Sequence, residues 1–519
     1  ERGELRSVPG VGEAIADKTR EIIKTGTCDL YERLKTQVPE SLTGMLNLPG
    51  FGPKKIQTVW KTLGVRDLDE LEQAARQQRL RDVPGLGAKT ETNLLTSIEA
   101  FRKRRERVPI GVALPYAEGL VRMLREAGLF ERLEIAGSVR RMKDTVGNID
   151  LVASAPDADA AFDAFAAHAE VREVASRDAG EICVRTHNGF WVDLRVVPPS
   201  GFASALRETT GSAEHNAGLR TFIDEQPAGR ASSGTVNEAD PAETAEEAAI
   251  YHALGLSWIP PELREGAGEI EAAAEGRLPR LITADDFRGI LHAHSTWSDG
   301  AATIERMAAT ARSLGYAYHG NTDHSKALTV AGGLDEARLL EQVAEIDALN
   351  AGYTDGFRIL KGIECDILLD GSLDLSIELL DQLDIVIASV HSHQKLDEET
   401  MTRRIVRALE SGVVDLLAHP TGRILGMRDP YPVDMERVMD AAVANRVALE
   451  INAFPDRLDL NEVYARRTRE RGIPISVNTD AHRPEHLSLL RYGVAQARRA
   501  WLEPEDVLNT WPLDRLMGW

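Results

Sequence analysis

The stretch LHAHSTWSDG, residues 291–300, opens the most informative part of this 519-residue sequence. His292 and His294 are spaced i and i+2, which places both imidazoles on one face of a predicted strand. Asp299 follows in the next predicted loop. Nine of the 13 histidines occur at or after His292. A single histidine is usually an ordinary surface or core residue, but this concentration indicates a metal site.

The same pattern, an apolar run followed by a polar ligand type, recurs to the end of the chain. Strands that release ligands at their carboxyl ends are typical of (β/α) barrels. Nine nitrogen and oxygen donors without cysteine suit a cluster of two or three Mn or Zn ions. The nine candidate ligands are His292, His294, Asp299, His324, Glu364, His391, His419, Asp480 and His482.

Four further residues lie near these motifs but outside the ligand pattern. His319, His393 and His486 are predicted to be neighbours that orient ligands, and His393 could also touch a substrate. Arg423, four residues after His419, is a candidate phosphate clamp because a guanidinium binds a phosphate with two hydrogen bonds. The alternative for Arg423 is a surface arginine that stabilises a helix.

A second constellation lies upstream, in AGSVRR (136–141), DTVGNIDLV (144–152) and FWVDLRVV (190–197). Nucleotidyl transfer uses two divalent ions held by facing carboxylates. Asp150 and Asp193 occupy two predicted strands, but Asn148 stands where the i, i+2 partner of Asp150 would be a carboxylate. A neutral amide offers one oxygen and no charge, so Mg or Mn should bind here more weakly.

Three segments near the amino terminus share one pattern: SVPGVGEAIADKTREI (7–22), NLPGFGPKKIQTVWKTL (47–63) and DVPGLGAKTETNLLTSI (82–98). In each, two glycines allow a tight turn that directs backbone N–H groups outward before a helix, where a phosphate can bind. A glycine turn between packed helices is the alternative for one copy, but three copies favour DNA backbone contact. The candidate DNA-binding residues are Gly10, Gly12, Gly50, Gly52, Lys54, Lys55, Gly85 and Gly87.

The AGSVRR, GNID, VDLRVV and TTGSAEHNAGLR (209–220) motifs resemble the palm and thumb of a family X DNA polymerase, and the glycine repeats resemble its helix-hairpin-helix motifs. The resemblance implies that Asp150 and Asp193 bind catalytic metals. It also implies roles for residues that contact nucleotide and DNA. These are Gly137, Ser138, Arg141 and Gly211 for the incoming triphosphate, Asn216 and Arg220 for the nascent base pair or template, and Lys18 for a lyase reaction.

The chain departs from that family's pattern at several positions besides Asn148. Glu208 and Thr209 stand where the family usually has an aromatic pair against the sugar. Residues 224–245 form a shortened, polar stretch in the thumb. The helices expected to open the lyase region are missing ahead of Glu1, which is not an initiator methionine, so residues upstream of it are expected.

Residues 289–486 closely resemble a PHP (polymerase and histidinol phosphatase) domain, a distorted seven-stranded (β/α) barrel that hydrolyses phosphoesters at a trinuclear metal site. All nine candidate ligands fall at ligand positions of that family. PHP domains fused to family X polymerases are associated with metal-dependent 3′–5′ exonuclease activity, and some with abasic-site cleavage or 3′-phosphate trimming.

Composition limits the remaining possibilities. Hydrophobic residues make up 43% of the chain and charged residues 28%, with a formal net charge of −21. The cysteines Cys28, Cys183 and Cys365 are far apart and odd in number, which predicts reduced thiols. No apolar run is long enough to cross a bilayer and no signal peptide is evident. The acidic total disfavours a nucleic-acid partner, but FRKRRERV (101–108) is locally basic. A cytoplasmic monomer is expected.

The predicted fold is a multidomain α/β chain with five parts. These are a lyase-like helix-hairpin-helix remnant (1–30), fingers with two further such motifs (31–106), a nucleotidyltransferase palm (107–200), a thumb and linker (201–283) and a PHP barrel (284–519). The predicted function is repair of gapped or primer–template DNA, coupling weakened synthesis from dNTPs to 3′-end hydrolysis. The alternatives are a nuclease whose palm only binds DNA, and a small-molecule phosphatase.

Overall fold

The chain folds as two compact units, Glu1–Glu106 and Arg107–Trp519. The boundary coincides with the predicted end of the fingers. Among the residues that the structure describes, no helix is long and apolar enough to cross a membrane. The computed structural model describes residues 13–25, 27–28, 30, 33, 38–39, 42, 45, 51–105, 107–225 and 245–519.

The first unit is helical in its described part. Two of the predicted glycine turns precede its helices. Gly52 is the N-cap of one helix and keeps an extended backbone, whereas Gly85 has a φ of 83°, a conformation that strains any residue with a β-carbon. The helices are Glu13–Thr25, Pro53–Leu63, Leu68–Arg76 and Ala88–Arg105. Their apolar core includes Phe51, Val59, Leu71, Leu80 and Ile98.

The second unit begins with the predicted palm, a five-stranded sheet in the order β2-β4-β7-β6-β5. Strands β4 and β7 are parallel and the other neighbours are antiparallel, while β1 pairs separately with β3. The strands are β1 (Val108–Pro109), β2 (Arg132–Ile135), β3 (Thr145–Val146), β4 (Ile149–Ser154), β5 (Val171–Arg177), β6 (Glu181–Thr186) and β7 (Trp191–Val197).

Alternation along β4 divides its side chains between two layers. Ile149, Leu151 and Ala153 join the core formed with the helices Ile110–Glu126 and Ala158–Ala166. Val152 faces the opposite layer, where the helix Phe202–Thr210 packs. Asp150, two residues before Val152, therefore shares this second face. The residues that follow β2 form the short helix Gly137–Arg140.

The thumb region contains the helices Ala213–Glu225, Ala245–Ala253 and Glu269–Ala274. Residues 261–279, which fall in the predicted thumb and linker, contribute several side chains to an apolar core. Arg264 is fully buried and donates to Glu247 Oε1 at 2.7 Å, and Leu263 and Ile270 join an apolar core. These contacts make the segment part of the thumb core.

The remaining residues form a barrel of seven parallel strands in the order β14-β13-β12-β11-β10-β9-β8. A bridge between Ala293 and Ala481 brings its first and last strands together, so the predicted (β/α)7 barrel is confirmed as a nearly closed sheet. The strands are β8 (Gly289–Ile290), β9 (Tyr318–Asn321), β10 (Arg358–Asp366), β11 (Ile385–Ser389), β12 (Leu416–Leu417), β13 (Ala448–Asn452) and β14 (Ile475–Asn478). The helices are Ile304–Ser313, Glu336–Asn350, Ile377–Leu380, Glu398–Leu409, Met435–Asn445, Glu462–Glu470, Leu490–Arg499 and Leu513–Met517.

The barrel packs directly on the palm within the second unit. Leu458 and Tyr492 of the barrel are buried in the same apolar cluster as the palm helix Ile110–Glu126. Arg423 of the barrel lies 3.1 Å from the carboxylate of Asp144, just before β3. These contacts place a barrel loop against the part of the palm that leads into β4.

Candidate active site

The carboxyl ends of the barrel strands bring together the nine predicted metal ligands. When parallel strands close into a barrel, the loops that follow them all begin at the same end of the barrel. His292 and His294 follow β8, His324 follows β9, His391 follows β11 and His419 follows β12. Glu364 lies near the end of β10, and Asp480 and His482 follow β14. Asp299 reaches the same mouth from the loop after His294.

The ligand atoms form three overlapping groups whose members lie within 4.8 Å of one another. His419 joins them through Nε2, which is 3.1 Å from Glu364 Oε1. Glu364 is therefore central to the cluster. The groups are His294–Asp299–His324–His482, His292–His294–Asp480 and His324–Glu364–His391.

The donor set fits divalent cations. Glu364 Oε2 and His324 Nδ1 are buried, lie 2.8 Å apart and make no hydrogen bond. A buried polar atom without a hydrogen-bond partner is energetically costly. Atoms that bind a metal ion show this pattern, because their partner is the ion and not a hydrogen-bond donor or acceptor. His292 Nε2 and His294 Nε2 lie only 3.2 Å apart. Imidazole and carboxylate donors that converge in this way suit Zn or Mn.

The cluster strongly perturbs the acidity of its members. Burial disfavours the charged form of Glu364 and Asp480, but the surrounding imidazoles outweigh it and hold both pKa values well below the usual range. Burial likewise opposes protonation of His391, yet Glu364 and Asp366 raise its pKa to about 10. Burial and the neighbouring His324 lower the pKa of His294 to about 4. Perturbation on this scale is typical of functional sites.

Further residues, missed in the sequence, orient the ligands. His292 Nδ1 donates to Glu450 Oε1 at 2.8 Å, which leaves its Nε2 facing the cluster. Asp366 Oδ1 lies 3.3 Å from His391 Nδ1. Carboxylates that fix the ring orientation of a metal-ligating histidine are common partners. The period-2 pattern around β13 and β10 places both carboxylates inside the barrel and could have identified them.

Two ligands have strained backbones. His419 has a φ of 30° and Asp480 a φ of 48°, in the left-handed region that costs a residue with a β-carbon about 1–2 kcal/mol. Such strain persists where surrounding contacts hold it and is concentrated at functional sites.

The structure does not support the phosphate clamp predicted at Arg423. Its guanidinium donates to the backbone carbonyls of Arg457 and Leu458 and to Asp144. An arginine bound on three sides by protein has no free edge for a phosphate. Of the off-pattern histidines, His486 Nδ1 accepts from the backbone N–H of His482, and His393 is exposed. His319 is fully buried in β9.

The palm brings Asp150 and Asp193 side by side as direct partners on the parallel strands β4 and β7. Asn148 joins them. Its Nδ2 donates to Asp150 Oδ1 at 2.8 Å and to Asp193 Oδ2 at 2.7 Å. The amide nitrogen therefore bridges the two carboxylates that would share divalent ions.

The palm carboxylates form an acidic cluster. Burial and the charge of Asp193 raise the pKa of Asp150 to about 6, although the Asn148 amide opposes the shift. Glu181, on the neighbouring strand β6, has its pKa raised by burial and by Asp193. It is a third carboxylate near the site that the sequence did not single out. Closely spaced carboxylates repel one another until a cation or proton joins them.

The predicted triphosphate-binding residues surround Asp150 only in part. Gly137 has a φ of 59°, and a β-carbon there would come within 1.7 Å of Asp150 Oδ2, which requires glycine. Ser138 follows in the same short helix. Arg141 donates through Nε to Glu265 Oε1 at 3.0 Å and also to the carbonyl of Thr210. A β-carbon on Gly211 would lie 3.2 Å from Arg141 Nη1, so these two residues are adjacent.

Comparison with known proteins covers nearly the whole chain. Residues 42–100 match the family described as SAM-like Helix-hairpin-helix tandem, residues 205–265 match DNA polymerase beta thumb, and residues 291–454 match PHP domain. A protein of Bacillus subtilis (strain 168) named DNA polymerase/3'-5' exonuclease PolX is 37% identical over 523 residues, which covers 98% of this chain and 90% of that protein. The chain belongs to the family X DNA polymerases with a PHP domain.

Other relatives match about a third of the chain. A probable phosphatase of Thermoanaerobacter sp. (strain X514) is 33% identical over 166 residues, or 30% of this chain and 65% of that protein. A probable phosphatase of Shewanella baltica (strain OS195) is 35% identical over 165 residues, or 31% of this chain and 60% of that protein. The predicted resemblance to a family X polymerase joined to a PHP domain is confirmed.

The residues predicted to bind DNA in this family X chain are described only in part. Gly10, Gly12 and Gly50 lie outside the described residues. Lys54 is exposed, Lys55 is half-buried, and both lie in the first turn of the helix capped by Gly52, while Gly85 and Gly87 precede the helix Ala88–Arg105. Lys18 is exposed on Glu13–Thr25.

The thumb residues predicted to lie near template are placed on the helix Ala213–Glu225. Asn216 donates through Nδ2 to the carbonyl of Glu208 and accepts from Arg207. Arg220 is exposed on the same helix. No contact in the described part of the chain joins either residue to Asp150 or Asp193.

Proposed function

We propose that this protein processes the 3′ ends of DNA by metal-dependent phosphodiester hydrolysis in its PHP barrel and fills short gaps with its palm. The observation that carries the proposal is the convergence of all nine candidate ligands at one barrel mouth, with buried ligand atoms that make no hydrogen bond. The PolX relative, named for both activities, spans nearly the whole chain.

The barrel residues would hold two or three Mn or Zn ions. When bound, such cations supply Lewis-acid stabilisation of the charge that develops as a phosphodiester is hydrolysed. Glu450 keeps the His292 ring oriented, and Asp366 does the same for His391. Glu364, at the centre of the cluster, would connect the ligand groups.

DNA is the substrate that the rest of the chain favours. Helix-hairpin-helix turns grip a phosphate backbone without reading sequence, and residues 42–100 match such a tandem. A polymerase palm and thumb would use the same duplex, with dNTPs as second substrates. A nuclease that trims a 3′ end prepares the primer that gap filling requires. We propose that the protein acts as a monomer on gapped or primer–template DNA.

The palm should bind Mg or Mn weakly. The Asn148 amide donates to both carboxylates that the ions would share. An incoming cation must break these hydrogen bonds, and it then meets two carboxylates instead of three. We therefore propose feeble synthesis that favours Mn. A nuclease whose palm serves only as a DNA platform is the second candidate, and the same amide bridge supports it.

The test of the barrel compares wild type with the double variant His292→Ala, Asp480→Ala on a 5′-labelled primer–template with Mn. Wild type should shorten the primer from its 3′ end. The double variant should lose cleavage and most Mn binding but retain DNA binding in a gel-shift assay. His187→Ala, on an exposed palm hairpin, is the control. Unchanged cleavage in the double variant would contradict the assignment.

The same double variant tests the palm, because degradation no longer masks synthesis. On a one-nucleotide gap with dNTPs, slow extension in Mn is expected. Absence of extension in both Mg and Mn would mean that the palm only binds DNA and does not synthesise it. A phosphatase acting on a small metabolite would instead cleave free phosphomonoesters faster than DNA ends, and the relatives that suggest it match about a third of the chain.

A further inference from the structure

An arginine outside the predicted ligand set lies beside one of the candidate metal ligands of the barrel. Arg457 lies in the loop after β13, and its Nε is 3.9 Å from Asp480 Oδ2, a candidate ligand. That separation is too long for a hydrogen bond. Among the described residues, no hydrogen bond to the Arg457 guanidinium is formed, and 23% of the side chain is exposed. The Arg457 guanidinium is therefore within ion-pair distance of Asp480 while its N–H donors make no hydrogen bond to the described residues.

The loop that carries Arg457 is held by both the barrel and the palm. Arg423 donates to the backbone carbonyls of Arg457 and Leu458. The Leu458 side chain is buried in the palm core, and its φ of 46° lies in the left-handed region. Pro455 packs so closely on Gly111 of the palm that a β-carbon on the glycine would lie 2.4 Å from it. A strained loop anchored on both sides holds its side chains in place.

A second arginine side chain, that of Arg428, lies near Arg457. Burial and the nearby Arg457 lower the pKa of Arg428, whose Nε donates to the carbonyl of Gly422 at 2.8 Å. Arg428 also lines a cavity of about 350 Å³ with Gln394 and Lys395, a few residues after the candidate ligand His391. Two like charges kept close together favour an anion beside them.

We propose that Arg457 binds the phosphate of the nucleotide being removed, in the position first predicted for Arg423. This inference rests on the proposed nuclease function and names a substrate-contacting residue for it. A guanidinium offers paired N–H donors that match phosphate oxygens. Because the palm anchors the loop, the palm also becomes a structural part of the nuclease site.

The test compares Arg457→Gln with Arg446→Gln, a matched arginine just ahead of β13, at the opposite end of the barrel. Manganese affinity, inorganic phosphate binding to the Mn-loaded protein, and KM and kcat for a 5′-labelled oligonucleotide are measured for each. The loss of one charge-assisted hydrogen bond corresponds to roughly a tenfold to hundredfold loss of binding affinity. Arg457→Gln should weaken phosphate binding and raise KM by that factor, with Mn affinity within about twofold of wild type.

Arg457→Lys should recover part of the loss, since it restores the charge without the paired donors. If Mn affinity fell in step with activity, Arg457 would act through Asp480 and the proposal would be overturned. Equal behaviour of Arg457→Gln and Arg446→Gln would overturn it too. Phosphate binding is measured without turnover, so a wild-type protein that binds phosphate through Arg457 but leaves DNA intact would refute only the nuclease function.

Discussion

Replacing Asn148 by aspartate tests how the palm carboxylates are held together. Asn148→Asp removes two donated hydrogen bonds, at 2.8 Å to Asp150 and 2.7 Å to Asp193, and puts a third carboxylate in their place. A hydrogen bond to a charged group contributes about 1.5 kcal/mol at the lower end of its range. The metal-free variant should therefore lose about 3 kcal/mol, a fall of a few degrees in apparent Tm for a unit of this size.

Divalent metal should reverse that loss. The added carboxylate should tighten Mn binding by at least about tenfold, because its attraction to a divalent ion at partial burial exceeds the 1.4 kcal/mol that tenfold requires. At a hundred times Kd, bound metal stabilises the folded state by about 2.7 kcal/mol. Asn148→Asp should thus regain most of its Tm in Mn, and primer extension should rise above that of wild type.

The assay is thermal unfolding with and without Mn or Mg, in the His292→Ala, Asp480→Ala background so that barrel ligands do not dominate the response. Asn148→Ala is the control, since it removes the same donors without adding charge. It should lose stability as Asn148→Asp does but regain less of it in Mn, because only two carboxylates remain to hold the ion. A metal-free Asn148→Asp protein at least as stable as its parent, or one indifferent to Mn, would refute the amide-bridge reasoning.

Two further predictions follow from named contacts. Gly111→Ala places a β-carbon 2.4 Å from Pro455, so the free energy of unfolding in urea should fall by about 1–3 kcal/mol and DNA cleavage should weaken. The control is Gly119→Ala in the same helix, whose β-carbon meets nothing within 4 Å and which should be neutral or up to about 1 kcal/mol stabilising. Equal effects of the two substitutions would refute the packing argument. Since the folded-state pKa of Asp150 is raised to about 6 from 3.8, its contribution to stability is complete below pH 3.8 and is lost as pH rises through 6. Metal must displace the same proton, so palm Mn affinity, measured by calorimetry, should fall about tenfold per pH unit below 6 and level off above it.

The metal ligands of the barrel could be recognised because strand periodicity and parallel closure carry them to one place. An apolar run followed by histidine or aspartate, repeated along the chain, requires only that the strands be parallel and adjacent for the ligands to meet. The palm pair Asp150 and Asp193 was recognisable for the same reason. The glycine turns before the helices Pro53–Leu63 and Ala88–Arg105 were also evident from their repeated pattern, and among their described glycines Gly85 has the left-handed backbone that other residues avoid.

The sequence by itself determined the family, the order of domains and the ligand types, since these depend on local spacing and on which side chains can bind a metal. Tertiary structure decided which arginine side chains lie near the site. Arg423 was the phosphate ligand expected from the sequence, but it is bound to Asp144 of the palm. The structure instead brings Arg457, which the sequence did not single out, within 3.9 Å of Asp480. Arg423 and Asp144 are 279 residues apart in the chain, so no local pattern encodes their contact; the packing of palm on barrel does.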